Sequence, residues 1–353
     1  MSETGSHVPG DAPTVGIVGL GSFVPPETVD AVQLAGETGI PAEVLVEKFG
    51  VRRVHRAGPD CHVSEMAARA GAAALHDAGV SADEVDLVVY CGSEFKDYIV
   101  WSAATKIAQL LGCRRAQAFE VYALCAGTPV TLRIARNMMC QEPELRTTLI
   151  VAASKESALV NRSNARTRFM FNFGDGAGAA LLRRDARRNL VLGSSSMVDP
   201  TLSEDAVMPA GGSRRPASAQ TVAEGAHYLD VPNLEHMRTR LDEVSSTNFL
   251  HVIHDALQRS DVDRVDFLAP VHMKRSMHEW LVRATGAERA LYLEEFGHMQ
   301  AADQLLALDE ARRQGLVRDG DTIVLAAAGV GYTWAATVLA WGPQRTGRTE
   351  IAP

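Results

Sequence analysis

The feature that most constrains the fold of this chain is an internal repetition of strand and helix patterns. Residues 65–92 read as an alanine-rich amphipathic helix, a turn and a β-rich strand, and residues 248–273 follow the same plan. Both strands begin after a similar step, Glu84-Val85-Asp86 in the first segment and Arg264-Val265-Asp266 in the second. Such similarity is common among α/β proteins, so a single instance would mean little.

Further similarities occur in the same order along the chain. They pair residues 119–139 with 291–313, 147–156 with 321–330, and 173–182 with 328–341. Because strands and helices alternate in each half, we expect two α/β layers that pack face to face about a pseudo-twofold axis. The loop at Cys125 and the loop at Gly297-His298 would then be related by symmetry and meet near the middle of the molecule.

This repetition sets the predicted domain organisation. The N-terminal half is predicted to cover residues 13–185 and the C-terminal half residues 186–343, with loose tails at 1–12 and 344–353. The Gly-, Ser-, Arg- and Pro-rich stretch 208–219 is predicted to be a long surface loop or an insertion that covers a pocket.

Composition excludes several classes of protein. Of the 353 residues, 46% are hydrophobic and 22% are charged, which excludes a mainly disordered chain. No uninterrupted apolar run is long enough for a membrane span, and the polar N-terminus lacks the features of a secretory signal. The formal net charge of −8 argues against nucleic-acid binding. The sequence therefore predicts a cytoplasmic protein without membrane or nucleic-acid partners.

The cysteines give no sign of a metal or disulfide framework. The five cysteines lie too far apart for a CxxC pair, and no zinc-ligand spacing occurs. We therefore predict no metal and no cofactor.

Cys125 has a distinct context, because strand residues precede it and a helix running to about Met139 follows it. The helix dipole and the free N–H groups at a helix N-terminus favour thiolate, so Cys125 is the predicted nucleophile.

Four stretches within residues 14–342 carry a resemblance to a known family: the Cys125 stretch, Phe173-Gly174-Asp175-Gly176-Ala177-Gly178-Ala179, Gly329-Val330-Gly331-Tyr332-Thr333-Trp334, and the opening strand and turn at 15–26. The resemblance is to the thiolase superfamily, specifically its β-ketoacyl-acyl carrier protein synthase III branch. It implies a five-layered αβαβα thiolase fold, a homodimer, and an acyl thioester carried on Cys125. It also implies an oxyanion hole made by the backbone N–H groups of Cys125 and Val330.

The sequence departs from the family where decarboxylating members keep a histidine and an asparagine. Val271 stands at the family's histidine, and His272 comes one residue later, where a strand turns the side chain to the other face. His298 stands at the family's asparagine, and Asp303 follows five residues later. This Cys…His-x4-Asp pattern resembles the family's acyltransferase offshoot in natural-product pathways. We therefore predict catalytic roles for Cys125, His298 and Asp303, with His272 as an alternative or supporting residue.

The acyl donor is predicted to be an acyl carrier protein or acyl-CoA. Val44 stands where CoA-using members keep an adenine-stacking tryptophan, and Lys48 replaces an arginine, which favours the carrier protein. A basic run of Lys48, Arg52, Arg53 and Arg56 would suit its acidic surface. The acceptor could be a hydroxyl, an amine or the thiol of a second carrier protein.

Other functions stay open on the sequence. The first is a carbon–carbon-forming synthase that starts polyketide or fatty-acid chains, with His272 and His298 sharing the decarboxylation role. The second is a catalytically silent partner subunit, although retention of Cys125 argues against it. The third is a relative of 3-hydroxy-3-methylglutaryl-CoA synthase, which needs a general acid near the cysteine, and Glu94 is the candidate.

Overall fold

The computed structural model describes residues 13–343, so the two predicted tails, 1–12 and 344–353, lie outside the described residues. The strands are β1 Val15–Phe23, β2 Thr28–Asp30, β3 Arg53–His55, β4 Leu87–Tyr90, β5 Gln117–Glu120, β6 Thr147–Ser154, β7 Gly176–Arg184, β8 Arg188–Val198, β9 Phe267–Pro270, β10 Arg289–Ala290, β11 Thr322–Gly329 and β12 Thr333–Pro343. The α-helices are α1 Ala31–Thr38, α2 Ala42–Val44, α3 Val63–Ala78, α4 Ala103–Leu111, α5 Gly127–Gln141, α6 Ala219–Ala223, α7 Leu234–Gln258, α8 Arg275–Thr285 and α9 Ala302–Arg313.

The strand order of the main sheet has the predicted twofold symmetry. Its ten strands run β10-β9-β11-β12-β8-β1-β7-β6-β4-β5. Reading outward from the centre, β1 matches β8, β7 matches β12, β6 matches β11, β4 matches β9, and β5 matches β10. The two halves are joined at the centre by one residue pair, Gly16 with Leu190. The predicted α/β fold of two pseudo-twofold-related halves is therefore confirmed.

Helices occupy three layers around these strands. In the middle, α5 and α9 lie between the two halves, and their side chains form one apolar core with both, including Leu132, Met139, Leu305 and Leu306. Helices α3 and α4 cover the outer face of the N-terminal half, and α7 and α8 cover that of the C-terminal half. The result is the predicted five-layered αβαβα arrangement of the thiolase fold.

The alanine-rich sequence of α3 explains how closely it lies on β1. Met66, Ala67, Ala70 and Ala74 are fully buried on its inner face. A Cβ added at Gly19 of β1 would lie 2.2 Å from the Ala74 carbonyl oxygen, so only glycine fits there. This close approach packs α3 directly against β1 of the N-terminal half.

The connection between β7 and β8 contains the predicted boundary between the halves, at residues 185 and 186. The division into two domains stays a prediction. The stretch 208–219 is largely exposed and leads into the short helix α6. Among residues 13–343, no helix combines the length and the apolar character needed to cross a membrane.

Candidate active site

Cys125 lies in a short turn between β5 and the first residue of α5. The turn is a 3₁₀ segment, Leu124–Ala126, and Ala126 N–H donates to the Ala123 carbonyl at 3.1 Å. Leu124 has a φ of 48°, a left-handed conformation that is uncommon for a leucine. Such strain concentrates at functional sites, where the surrounding structure enforces it. The turn places the Cys125 side chain, 8% exposed, at the carboxyl edge of the N-terminal strands.

His298 reaches Cys125 from the symmetry-related loop that precedes α9. Its Nε2 lies 3.2 Å from the Cys125 Sγ. Its main chain is fixed on both sides, since His298 N–H donates to the Asn172 carbonyl at 2.8 Å and its carbonyl accepts from Gly174 N–H at 2.9 Å. The preceding Gly297 has a φ of 81°, and a Cβ there would lie 2.7 Å from the Asn172 oxygen. The two predicted loops therefore do meet in the middle of the molecule.

Asp303 completes a continuous chain of hydrogen bonds from the first turn of α9. Its Oδ2 lies 2.6 Å from His298 Nδ1 and accepts a bond of 2.7 Å from the N–H of His272, while its Oδ1 accepts one of 2.6 Å from the N–H of Met299. Two main-chain N–H groups hold this fully buried carboxylate in place, with its Oδ2 facing the His298 imidazole.

The electrostatics of the three residues favour a charged imidazole. Burial by itself lowers the pKa of His298, but the negative charges of Asp303 and Cys125 and the hydrogen bonds to them outweigh it. The pKa of His298 is therefore held well above its ordinary value of 6.5. A charged imidazole carries a proton on Nε2, which it can donate to the Cys125 sulfur across the 3.2 Å between the two atoms.

The two amides predicted to form an oxyanion hole belong to Cys125 itself and to Val330, the residue that follows β11. A Cβ added at Gly329 would be 3.0 Å from the Cys125 nitrogen, which shows how closely the end of β11 approaches this turn. Within residues 13–343, the N–H groups of Cys125 and Val330 donate to no protein acceptor. Both donors are therefore free for a substrate oxygen.

The comparisons with known proteins identify relatives over most of the chain. A family model described as 3-oxoacyl-[acyl-carrier-protein (ACP)] synthase III matches residues 119–200, and a model of the C-terminal part of that enzyme matches residues 256–341. The β-ketoacyl-[acyl-carrier-protein] synthase III of Rhodospirillum centenum is 31% identical over 338 residues, which are 92% of this chain and 98% of that protein. That of Desulfitobacterium hafniense is 30% identical over 331 residues, 93% of this chain and 98% of that protein. The chain belongs to the β-ketoacyl-acyl carrier protein synthase III family.

Solved structures show the same fold. The priming β-ketosynthase from the R1128 polyketide biosynthetic pathway has a TM-score of 0.81 and 24% identity, covering 96% of this chain and 99% of that chain. The 3-oxoacyl-(acyl carrier protein) synthase III of Pseudomonas aeruginosa has a TM-score of 0.78 and 26% identity, covering 94% of this chain and 99% of that chain.

His272, the second histidine considered from the sequence, supports the site through its main chain. Its N–H holds Asp303, whereas both ring nitrogens are buried and have no hydrogen-bond partner in the described part of the chain. Burial lowers the pKa of the imidazole to about 3, so the ring is neutral. It packs near the Tyr292 ring at 5.0 Å. The ring makes no hydrogen bond to Cys125 or His298.

Glu94, the sequence candidate for a general acid, is exposed at the surface. Its neighbour Ser93 faces inward and donates to Oε1 of a different carboxylate, Glu156, at 2.9 Å. Burial raises the pKa of Glu156 to about 7, although the Ser93 hydrogen bond and the charge of His298 lower it. Sequence reasoning missed Glu156, and the signal that could have found it is its place two residues after β6, at the same sheet edge as Cys125.

The predicted basic run is largely neutralised by acids. Arg52 lies 3.2 Å from Glu294 and Arg53 lies 2.6 Å from Glu295. Arg56 pairs with Glu37. These exposed or half-exposed pairs weaken the case for the run as a carrier-protein docking surface.

Among residues 13–343, no cluster of His, Cys, Asp and Glu side chains has the geometry of a metal site.

Proposed function

We propose that this synthase III family member is an acyltransferase that carries an acyl group on Cys125 and transfers it to a hydroxyl, an amine or a carrier-protein thiol. The observation that supports this is the position of His298, which links the Cys125 sulfur at 3.2 Å to the buried Asp303 at 2.6 Å. A cysteine, a histidine and a carboxylate in this order form a nucleophile, a base and a group that orients the base. Its setting would be secondary metabolism.

In the first half-reaction the Cys125 thiolate attacks the carbonyl carbon of the donor thioester. The new C–S bond forms while the bond to the donor sulfur breaks, and the His298 imidazolium gives its Nε2 proton to the departing thiol. The free N–H groups of Cys125 and Val330 stabilise the tetrahedral oxyanion, which is worth about 10²–10³ in rate per donor.

Acylation of Cys125 lowers the pKa of His298, as the second half-reaction requires. The charge of Cys125 and its hydrogen bond contribute to the raised pKa of His298. When the sulfur is acylated, that charge disappears and the pKa of His298 falls, so the ring becomes available as a base. His298 then takes the proton of the acceptor as the acceptor attacks the acyl carbon, and Cys125 leaves as thiolate. General base catalysis of this kind contributes about 10²–10⁴ in rate.

The same contacts argue against decarboxylation of a malonyl thioester. That step needs two hydrogen-bond donors on the thioester carbonyl to hold an enolate. The family's histidine position holds Val271, which is apolar and buried, and neither ring nitrogen of His272 forms a hydrogen bond with a residue of the described part of the chain. His298 replaces the asparagine and is engaged with Asp303 through Nδ1.

A condensing synthase that starts polyketide or fatty-acid chains is the second candidate. The names of the curated relatives support it, since they are β-ketoacyl-[acyl-carrier-protein] synthases III, and a structural neighbour is a priming β-ketosynthase. Those names also support an acyl carrier protein as a partner, with acyl-CoA as the other possible donor. A homodimer is proposed on the family resemblance alone.

The remaining alternatives have less support. A silent partner subunit would not need the hydrogen-bonded Cys125–His298 pair. A 3-hydroxy-3-methylglutaryl-CoA synthase-like reaction loses its candidate acid, because Glu94 is exposed.

Intact mass spectra after exposure to malonyl and simple acyl thioesters, on CoA and on a carrier protein, distinguish the two main candidates. The acyltransferase should carry an adduct that keeps its carboxylate when malonyl is offered, and Cys125→Ala should carry none. A decarboxylated adduct, or a β-ketoacyl product, would instead establish the condensing synthase.

A further inference from the structure

A polar cluster lies beside His298 that the proposed mechanism does not use. It consists of Ser93, Glu156 and Gln300, which are 1%, 8% and 2% exposed. Ser93 follows β4, Glu156 follows β6, and Gln300 is two residues after His298. Ser93 and Glu156 therefore lie at the carboxyl edge of the N-terminal strands, the edge that also holds Cys125, and Gln300 reaches Glu156 from the loop of the other half. Ligands of open parallel sheets bind at this edge.

The hydrogen bonds within the cluster leave two oxygens unused. Glu156 Oε1 accepts from Ser93 Oγ at 2.9 Å and from Gln300 Nε2 at 2.7 Å. Gln300 Oε1 is buried and has no donor in the described part of the chain, and Glu156 Oε2 receives none there either. An unpaired buried amide oxygen costs about 1–3 kcal/mol, so a bound group that supplies a donor would recover that energy.

The backbone of Gln300 is also held in an unfavourable conformation. Its φ is 56°, in the left-handed region that a glutamine seldom adopts. In this conformation the Gln300 side chain reaches Glu156, whose Oε1 accepts from Gln300 Nε2 at 2.7 Å. Strained residues of this kind cluster at active sites and ligand clamps, and Gln300 lies two residues after His298.

We propose that Gln300 Oε1 and Glu156 Oε2 form the subsite that binds the acyl acceptor, and that the acceptor is an alcohol or an amine. This inference rests on the proposed function. Both oxygens accept hydrogen bonds when Glu156 is ionised, so they fit a group that carries O–H or N–H. A thiol is a weak donor and gains little there. Gln300 lies two residues after His298 and donates to Glu156 at 2.7 Å, so the subsite is close to the proposed base.

The transfer step is balanced without any further reactant. The acceptor oxygen or nitrogen attacks the thioester carbon and forms the C–O or C–N bond. His298 takes the proton, and the C–S bond breaks to release Cys125 as thiolate, which restores the starting ion pair.

The test uses three acceptors of equal size on the acylated enzyme: N-acetylethanolamine, N-acetylethylenediamine and N-acetylcysteamine. Loss of acyl-Cys125 and formation of the acylated acceptor are followed by mass spectrometry. The wild type should prefer the alcohol or the amine over the thiol. Gln300→Met and Glu156→Gln should raise KM and lower kcat/KM for that preferred acceptor about 10- to 100-fold, while transfer to the thiol and acylation of Cys125 change little.

Gln304→Met is the matched control. Gln304 lies on α9, is fully buried, and has an amide with no partner within residues 13–343. It should leave the acceptor preference unchanged. An equal loss for all three acceptors in Gln300→Met, or no loss for any, would overturn the subsite. A wild type that is not acylated, or that condenses malonyl units, overturns the proposed function first and is detected before any acceptor is added.

Discussion

Replacing Asp303 by asparagine tests the central claim that His298 acts as a base held by a carboxylate. The carboxylate accepts three hydrogen bonds, from the His298 ring and from the N–H groups of His272 and Met299. An asparagine has one acceptor oxygen, so whichever way its amide is turned, at least one main-chain N–H loses its partner. The expected cost in stability is about 1–3 kcal/mol.

The effect on chemistry should be larger than the effect on stability. With charge centres about 4 Å apart and an effective dielectric of about 20, the carboxylate stabilises the imidazolium by about 4 kcal/mol. Removing it lowers the pKa of His298, and an amide N–H facing Nδ1 would fix the wrong tautomer. We therefore expect acyl transfer in Asp303→Asn to fall about 10³- to 10⁴-fold, the scale seen when a catalytic triad loses its carboxylate.

Two assays separate these effects. Acyl transfer is measured by mass spectrometry, and the rate of alkylation of Cys125 by iodoacetamide from pH 5 to 9 reports the fraction present as thiolate. In Asp303→Asn the alkylation rate near pH 7 should fall and then recover as the pH rises.

The control for Asp303→Asn is Asp309→Asn. Asp309 is another fully buried carboxylate of α9, and it pairs with Arg312 and Arg313 away from the site. The Asp309→Asn variant should be less stable than the wild type, but the pH dependence of Cys125 alkylation should not change. Transfer within tenfold of the wild type in Asp303→Asn, or equal losses in the two variants, would refute the proposed role of Asp303.

Three further outcomes follow from the geometry. In Gly329→Ala the new Cβ would lie 3.0 Å from the Cys125 nitrogen. The rate of acylation should therefore fall at least tenfold, roughly the effect of losing an oxyanion donor. The control Gly36→Ala, whose Cβ would have no atom within 4 Å, should keep the full acylation rate in the same assay. His272→Phe should keep the rate of acyl transfer within about threefold of the wild type, because the main-chain N–H of residue 272, and not the ring, holds Asp303. The variant also removes two unpaired buried nitrogens. A loss beyond 100-fold would show that the ring takes part. Glu156 has its pKa raised from 4.5 to about 7, so its contribution to stability is complete below pH 4.5 and is lost as the pH rises through 7. Denaturant titrations should therefore show Glu156→Gln gaining about 3 kcal/mol on the wild type across that interval, and a constant difference would contradict the shifted pKa.

The fold could be predicted because its information is local and repeated. Each half shows alternating strands and helices, and the same order in both halves dictates matching positions in the sheet. Cys125 and His298 could be found because a motif fixes their place in the chain. Their contact at 3.2 Å then follows from the symmetry of the two loops that carry them.

The polar cluster could not be predicted because it depends on the direction in which single side chains point. Ser93 and Glu94 are adjacent, yet Ser93 is buried and Glu94 is exposed. Within residues 147–156, β6 ends at Ser154 and Glu156 begins a 3₁₀ turn. That turn carries the carboxyl inward, toward Gln300, which lies 144 positions further along the chain.

The central seam of the sheet makes the enzyme suited to fragment complementation. One residue pair, Gly16 with Leu190, joins the two sets of strands, and the connection from Arg184 to Arg188 is short and follows a completed strand. A cut there would leave the sulfur on one fragment and the imidazole on the other. Neither piece could turn over alone, so restored turnover on mixing would directly report the reassembly of the two halves.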